Sequence, residues 1–506
     1  MTLQSETCAS IGFVILTTIV RVYLVSCISI AIYNIFFHPL AKYPGPTLRA
    51  AFHFPDAFSK LRGTSYTDTK YLHDQYGTVV RLVPDGLSYN VPRAWKDIYG
   101  VKQDRSELGK DPAFYKRAGG VHILNANQEE HARIRKMLAP AFSDSALLAQ
   151  EPLLTYYFDL LVSKLKSKVD GPGEKRVDMM AYYNFTTFDI VGDLVLGEPF
   201  GALEGGQYHT WIRNVFESIK MLGWIRLAFN YPAVGIVFSI LQKVVPSFAQ
   251  KREQHMKFTE ERLRKRLNLN TARKDIVAYI NSDNDEHVGL SYVEILGNSR
   301  ILLTAGSETT ATHLSGATWY LLTHREILRR VQDEVRAAFT TADEITLRSV
   351  SIPGRLPYLE AVIQESFRLY PSVPAALPRV TGPEGAFIDG RFVPGNVSVG
   401  VHQWSTYRHA GNFARPDEFL PERWLADAPE EFKDDRKDAL QPFLLGPRGC
   451  LGKSLAYFEI RSILTHMLWH FEMRLEDESW NWLDGQREFT LWDKPGLWVR
   501  VDHRRG

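Results

Sequence analysis

Hydrophobic and polar positions divide the chain into three regimes. The first is an apolar run, Ile11 to Phe37, broken only by Arg21, Asn34 and a few hydroxyls. It exceeds the ~20 residues a helix needs to cross a bilayer, so a membrane-spanning helix over 11–37 is expected. No small-residue cleavage site follows a short apolar core, as removal of a signal peptide requires. The second regime is "HPLAKYPGP" (His38–Pro46), where Pro39, Pro44 and Pro46 exclude a helix and predict a stiff connector. In the third regime most segments repeat their apolar positions at helical spacing, among them Gln128–Ala141, Tyr292–Phe339 and Leu356–Leu369. Alternation predicts short strands at Thr78–Pro84, Ser88–Pro92, Ala386–Pro394 and the tryptophan-rich C-terminus. The fold class is therefore mainly α with small β-sheets. Leu222–Val245 is also strongly apolar, but Arg226, Asn230 and Pro232 interrupt it. It reads as a membrane-touching element or a pair of core helices rather than a second span.

Composition narrows the function classes. Hydrophobic residues at 45% and charged residues at 23% describe an ordinary globular body. With 60 basic and 58 acidic side chains the net charge is +2, which gives no reason to expect a nucleic-acid partner. Length alone predicts about three domains for 506 residues. Basic residues follow the apolar run (Lys42, Arg49, Lys60, Arg62) and none precedes it, which places the body on the cytosolic side. Cys8 and Cys27 lie at the N-terminus and Cys450 stands alone in the body. A disulfide framework and a multi-thiolate zinc site are both excluded.

Four stretches can carry chemistry. "FLLGPRGCLG" (Phe443–Gly452) sets Cys450 among Gly446, Gly449 and Gly452, beside Arg448 and before an amphipathic helix. A sulfur near a helix N-terminus and an arginine is favoured as thiolate, which suits a nucleophile or a metal ligand; a buried filler thiol stays open. "QESFRLYP" pairs Glu365 with Arg368 at i,i+3 in an apolar helix, and "FLPERW" offers Arg423 as a second guanidinium. The same spacing recurs at Glu130/Arg133, Glu261/Arg264 and Glu326/Arg329, where solvated surface pairs are expected. "LLTAGSETTATHL" puts Gly306, Glu308 and Thr309 mid-helix, where glycine costs about 1 kcal/mol against alanine. "HARIRKM" puts His131 and Arg135 on one helix face, suited to gripping a carboxylate.

Together these motifs resemble the cytochrome P450 family. "FLLGPRGCLG" matches F-x-x-G-x-R-x-C-x-G at Phe443, Gly446, Arg448, Cys450 and Gly452. "AGSETT" is similar to the family's oxygen-binding helix, "ESFR" to its E-x-x-R, and "FLPERW" to its P-E-R-F with Trp424 in place of phenylalanine. "FHPLAKYPGP", "LHDQYGTVVRLVPDGLSY" and "AWKDIYG" resemble fungal isotrichodermin-hydroxylase-like members.

The resemblance implies one triangular helical domain, with haem b between a long central helix and the cysteine loop. Residues 1–10 would be lumenal, 11–37 a single anchor in the endoplasmic reticulum membrane, 38–46 a hinge and 47–506 a cytosolic catalytic domain. Cys450 would be the axial iron ligand, shielded by Phe443, within a loop shaped by Gly446 and Gly452. His131, Arg135, Arg379 and Arg448 would pair with the propionates. Glu365, Arg368 and Arg423 would form a structural network behind the haem. Ala305 and Gly306 would let the central helix pass over bound dioxygen, with Thr309 and Glu308 delivering protons. The implied activity is hydroxylation of a lipophilic molecule, such as a terpenoid or polyketide intermediate of fungal secondary metabolism. Electrons would come from an NADPH–cytochrome P450 reductase, with cytochrome b5 as a further partner, docking at Arg133, Lys136, Arg448 and Lys453. Pocket walls would come from "KDPAFYKRAGGVHIL", the helix at Leu302–Thr310, "VPAALP" and "TLW". The rival readings are a haem-thiolate enzyme of coupling, desaturation or isomerisation, and a non-catalytic haem sensor. The Glu308–Thr309 pair speaks for oxygen activation.

Overall fold

The computed structural model describes residues 2–101, 106–115, 120–173, 175–231, 234–237, 239–240, 246–269, 275–282 and 289–504. Parts of two expected elements lie outside them: 116–119 of the first pocket wall, and 232–233, 238 and 241–245 of the apolar Leu222–Val245 stretch.

The N-terminal apolar run is the helix α1 (Thr2–Ile32), closed by a π-turn at Tyr33–Phe37. Phe13–Phe37 is long and apolar enough to cross a membrane, and apart from Asn34 near its end its apolar stretch is not buried against the body, which is compatible with an anchor. The turn ends it in a clamp. Asn34 Nδ2 donates to Ala51 O at 2.9 Å, and the buried Arg81 donates to Asn34 O at 2.8 Å. The proline connector that follows is non-helical, as predicted.

Seven further helices build the site: α2 (Phe54–Arg62), α3 (Gln128–Leu138), α4 (Met179–Leu196), α5 (Thr210–Asn230), α6 (Tyr292–Thr323), α7 (Arg325–Ala338) and α8 (Pro357–Leu369). A last one, α9 (Lys453–His470), leaves the cysteine loop. The central helix α6 starts at a capping box, with Ser291 Oγ accepting from Glu294 N and Glu294 returning a bond to Ser291 N. Leu303, Ala311, Leu314 and Ala317 are completely buried, and α4 packs along its length. The periodicity predicts one helix from Tyr292 to Phe339; the structure breaks it at His324. There the backbone turns extended and its amide doubles back to Tyr320 O and Leu321 O, so α7 can swing onto α9.

The strands are short because they only close the helical body. β1 (Val79–Val83) and β2 (Gly86–Tyr89) form a hairpin. β2 runs parallel to β8 (Ser398–Val401), which pairs antiparallel with β5 (Arg379–Val380), and that with β3 (Gly109–Lys110). The register sets Lys110 directly opposite Arg379. A separate sheet joins β4 (Arg176–Asp178), β12 (Trp498–His503) and β9 (Phe471–Leu475). Two hairpins complete the strands, β6 (Ala386–Ile388) with β7 (Arg391–Val393) and β10 (Arg487–Glu488) with β11 (Trp492–Asp493).

Two glycines in α6 face different neighbours. A Cβ on Gly316 would enter the Tyr370 ring, which is locked by stacking on Trp492 at 5.1 Å and by donating to Gln486 Oε1. A Cβ on Gly306 would stand 3.2 Å from Val191 Cγ2 of α4, a methyl that can yield. Gly316→Ala is therefore expected to destabilise the holoprotein by about 1–3 kcal/mol. Gly306→Ala is expected to be near neutral, since helix propensity returns about 1 kcal/mol. Denaturant unfolding of the two variants side by side checks the contrast.

Candidate functional site

The cysteine loop is held by its own backbone. Cys450 N donates to Phe443 O at 2.8 Å and Gly449 N to Gly446 O at 3.0 Å. Of its three glycines only Gly446 has no substitute: its φ is +74° and a Cβ would strike Tyr99 O. Gly452, by contrast, has open space where a Cβ would go. Gly452 also gives its amide to the Cys450 sulfur. Cys450 is exposed by surface area, yet lies deep enough among protein atoms that burial raises its thiol above the ordinary value. Both facts hold for a side chain on the wall of an internal cleft. The expected lowering does not occur in the protein alone, because burial outweighs Gly452, Arg135 and Lys453. A cation at the sulfur is what would make it a thiolate.

Around this loop the fold gathers positive charge. Arg135 Nη1 on α3 donates to Gly449 O at 2.6 Å. Burial, followed by Arg448, Lys110, Arg135 and Arg379, drives the buried His131 imidazole down to about 3. Lys110 is lowered to about 6 by burial and then by Arg448 and Arg379. Arg379 reaches Tyr115 Oη at 3.3 Å and lies over the Tyr99 ring. The carboxylate against this group is Glu107, bound to Arg448, which also donates to Ala126 O at 2.9 Å. A cavity of about 480 Å³ adjoins, lined by Glu107, His131, Arg135, Lys136 and Pro447 among others. Cations repelling one another beside a buried sulfur are the donor set for a ligand carrying several negative charges. Lys110 and Glu107 escaped the sequence reading. No motif marks them, and only the β3–β5 register brings Lys110 to Arg379.

Behind the loop, Glu365 is completely buried and collects donors on both oxygens. Arg368 Nε and Nη2 reach it at 2.8 and 2.7 Å, Leu420 N at 2.9 Å, Arg423 Nε at 3.1 Å and Trp424 Nε1 at 2.8 Å. Arg423 also pairs with Asp435. The tryptophan at 424 thus adds a hydrogen bond that phenylalanine lacks. The repeats of this spacing behave differently: Arg133 binds Glu294 and Arg264 binds Glu260. Arg133 and Arg448 are committed to internal partners and are not free docking charges, whereas Lys136 and Lys453 are exposed.

The central helix turns Ala305 and Thr309 toward open space; Ala305 is the one exposed residue between Glu294 and Thr323. Thr309 Oγ1 donates to Ala305 O at 2.7 Å, and Ser372 Oγ donates to Thr309 O at 2.7 Å. Gly306 points away toward α4, so its missing side chain serves helix packing and not the cleft. Glu308 is buried on another face against Lys494. The helix connects to the cysteine loop through rings: His313 stacks on Phe367 at 3.8 Å, and Phe367 meets Phe443 at 5.3 Å. A second cavity, about 430 Å³, is lined by Phe114, Ala375, Ala376, Gly400, Phe489 and Thr490 among others. Three of the four expected pocket walls contribute to it; Leu302–Thr310 does not. Asp56, Lys60, Asp85 and Glu488 also line it, so its wall is more polar than expected.

Comparison with known proteins agrees with this geometry. The Cytochrome P450 family model matches residues 44–499. The chain belongs to the cytochrome P450 family. It is 41% identical to the cytochrome P450 monooxygenase astJ of Aspergillus oryzae, over 94% of each chain. It is 40% identical to the averantin hydroxylase of Dothistroma septosporum, over 97% of this chain and 90% of that one. It is 39% identical to the cytochrome P450 monooxygenase FUM2 of Gibberella moniliformis, over 94% of this chain and all of the other. The P450 is thus a haem-thiolate monooxygenase of the fungal secondary-metabolism group, acting on a small molecule with electrons from a redox partner. The cation cluster and the sulfur fit that prosthetic group, whose two carboxylates and iron complement them.

The network around Glu365 yields a stability prediction for this P450. Burial pushes its carboxyl up, but Arg368 and Arg423 overcome this and hold it below its ordinary 4.5. A depressed carboxyl contributes stability above its unfolded value and loses it as pH falls through the folded one. Glu365→Gln should cost about 3–5 kcal/mol at pH 7. The difference from wild type should shrink below about pH 4. Urea unfolding across pH 3–7 measures both.

Proposed function

We propose that this P450 hydroxylates, or otherwise oxidises, a lipophilic intermediate of the terpenoid or polyketide kind. The observation that carries the reading is the cluster of Lys110, His131, Arg135, Arg379 and Arg448 beside the Cys450 loop. In it Cys450 binds the haem iron, with the Gly452 amide steadying the sulfur's charge. Lys110, His131, Arg135 and Arg379 hold the propionates, while Arg448, already neutralised by Glu107, fixes the loop in place. Phe443, packed on Phe367, shields the sulfur from water. When bound, the haem supplies dioxygen activation and the oxidising power for an unactivated C–H bond. Thr309 holds and passes a proton at its Oγ1, and Glu308, the next acid along α6, replenishes it. The 430 Å³ cavity admits a drug-sized substrate. Asp56 on its wall is engaged by Arg49 and Lys60 and Glu488 by Ser65, so Phe114, Ala375, Ala376 and Phe489 present the apolar surface for the substrate.

Electrons reach this domain (47–506) from an NADPH–cytochrome P450 reductase, with cytochrome b5 as auxiliary donor. Lys136 and Lys453 supply docking charge on the cysteine-loop side. Residues 11–37 anchor the domain to the endoplasmic reticulum membrane in a single pass, with residues 1–10 lumenal and the body cytosolic. The Asn34–Arg81 clamp ties the end of the anchor to the body.

With reductase, NADPH and labelled dioxygen, the product should carry one labelled oxygen atom; unlabelled product would sink the monooxygenase reading. Thr309→Ala should lower product formed per NADPH by about tenfold or more. Lys110→Met should hasten haem transfer to apomyoglobin by about tenfold, the equivalent of a lost charged hydrogen bond. An unchanged transfer rate would remove Lys110 from the propionate site.

A further inference from the structure

The acid beside Thr309 is held by a residue from the far end of the chain. Glu308 Oε1 accepts from Lys494 Nζ and from Thr312 Oγ1 at 3.3 Å, and Lys494 Nζ also donates to Thr312 Oγ1 at 2.7 Å. The side chains are 1% and 3% exposed. Glu308 Oε2 is buried with no hydrogen-bond partner among the described residues. Lys494 follows β11 on a loop fixed at both sides, on the far side by Trp482 Nε1 donating to Pro495 O at 2.9 Å and on the near side by β11 itself. Trp492 Nε1 donates to Pro371 O at 2.8 Å, and Asp493 pairs with Lys220 of α5 at 2.8 Å.

We propose that Lys494 is a positioning residue for proton transfer at Thr309, holding Glu308 in the interior with one oxygen engaged and the other left to exchange a proton. The proposal rests on the oxygen-activating role given above to Thr309 and Glu308. A second buried acid in the same chain shows what burial does without a cation. Glu459 on α9 has no partner on either oxygen among the described residues beyond a contact with Thr310, and burial pushes it to about 8. Such a group keeps its proton at neutral pH and donates reluctantly. Burial also raises Glu308, but Lys494 and Thr312 pull against it. Asp493 adds a small upward push, and Tyr208 and Tyr370, the phenols nearby, stay neutral because burial raises both. Glu308 still stays above its ordinary value, but Lys494 opposes there the burial that no cation opposes at Glu459, which favours exchange of the proton. A tie that merely fastened the C-terminal loop to α6 would not require the lysine's charge.

Infrared difference spectroscopy of the haem-loaded full chain tests this by titrating the protonated carboxyl band that Glu308→Gln removes. In Lys494→Met the midpoint of that band should rise by about one pH unit or more. Product per NADPH should fall about tenfold, and Lys494→Arg should restore most of both. The double variant with Glu308→Gln should be no worse than Glu308→Gln alone. Lys494→Gln keeps a hydrogen-bond donor and loses only the charge, so it reads the same midpoint should the methionine variant fail to fold. An unmoved midpoint in both neutral variants overturns the proposal, as do losses that multiply in the double variant. Should the midpoint rise while Glu308→Gln leaves coupling intact, the proton-delivery role falls and the lysine's hold on the acid stands.

Discussion

A single buried carboxylate organises the cysteine-loop half of this protein. Glu365 binds the Arg368 guanidinium on its own helix and reaches out to Leu420 N, Arg423 and Trp424 on the segment ahead of the cysteine loop. Arg368 in turn takes Tyr407 O at 2.9 Å and Glu418 O at 2.8 Å. An irregular stretch has few backbone bonds of its own, so side-chain charges must satisfy its carbonyls. With donors on both carboxylate oxygens the ion pairs repay their desolvation. The loop that presents Cys450 meets the Glu365 helix through the Phe367–Phe443 ring contact, and is held from the other side by Arg135 on Gly449 O.

The opposite design prevails at the cation cluster. There the chain buries Lys110 and His131, and that burial, followed by the three arginines gathered with little countercharge, lowers both. A protein site that is unfavourable by itself becomes favourable when an anionic group enters it, which couples folding to cofactor capture. Glu365 is thus a satisfied network that gives rigidity. The cluster is an unsatisfied one that gives affinity.

How much of this was legible depended on whether a residue's role is local. The four motifs and the order of helices could be read because glycine-rich loops, helical spacing and i,i+3 pairs leave marks within a few residues. The broken helix at His324 left no such mark: neither glycine nor proline signals it, and tertiary packing of α7 decides it. Gly306 was read as clearance for a ligand but faces Val191, because sequence gives a residue's presence on a helix and not its azimuth. Lys110, Glu107 and Lys494 were invisible for a related reason. Each acts on a partner far away in the chain, 186 residues in the case of Lys494 and Glu308. The thiolate at Cys450 was read from helix and arginine alone; without a cation at the sulfur burial is the larger effect and raises the thiol, so it is the iron that completes the thiolate.

The central claim is that Cys450 is the thiolate ligand of a haem bound between its loop and the face of α6 that carries Ala305 and Thr309. The carbon monoxide difference spectrum of the reduced holoprotein tests it most directly, with Cys450→Ala as the comparison. The account predicts the far-red-shifted band of a thiolate-ligated haem in the wild type and its loss in the variant. A folded, haem-loaded wild-type protein without that band, or a variant that keeps it, would contradict the assignment.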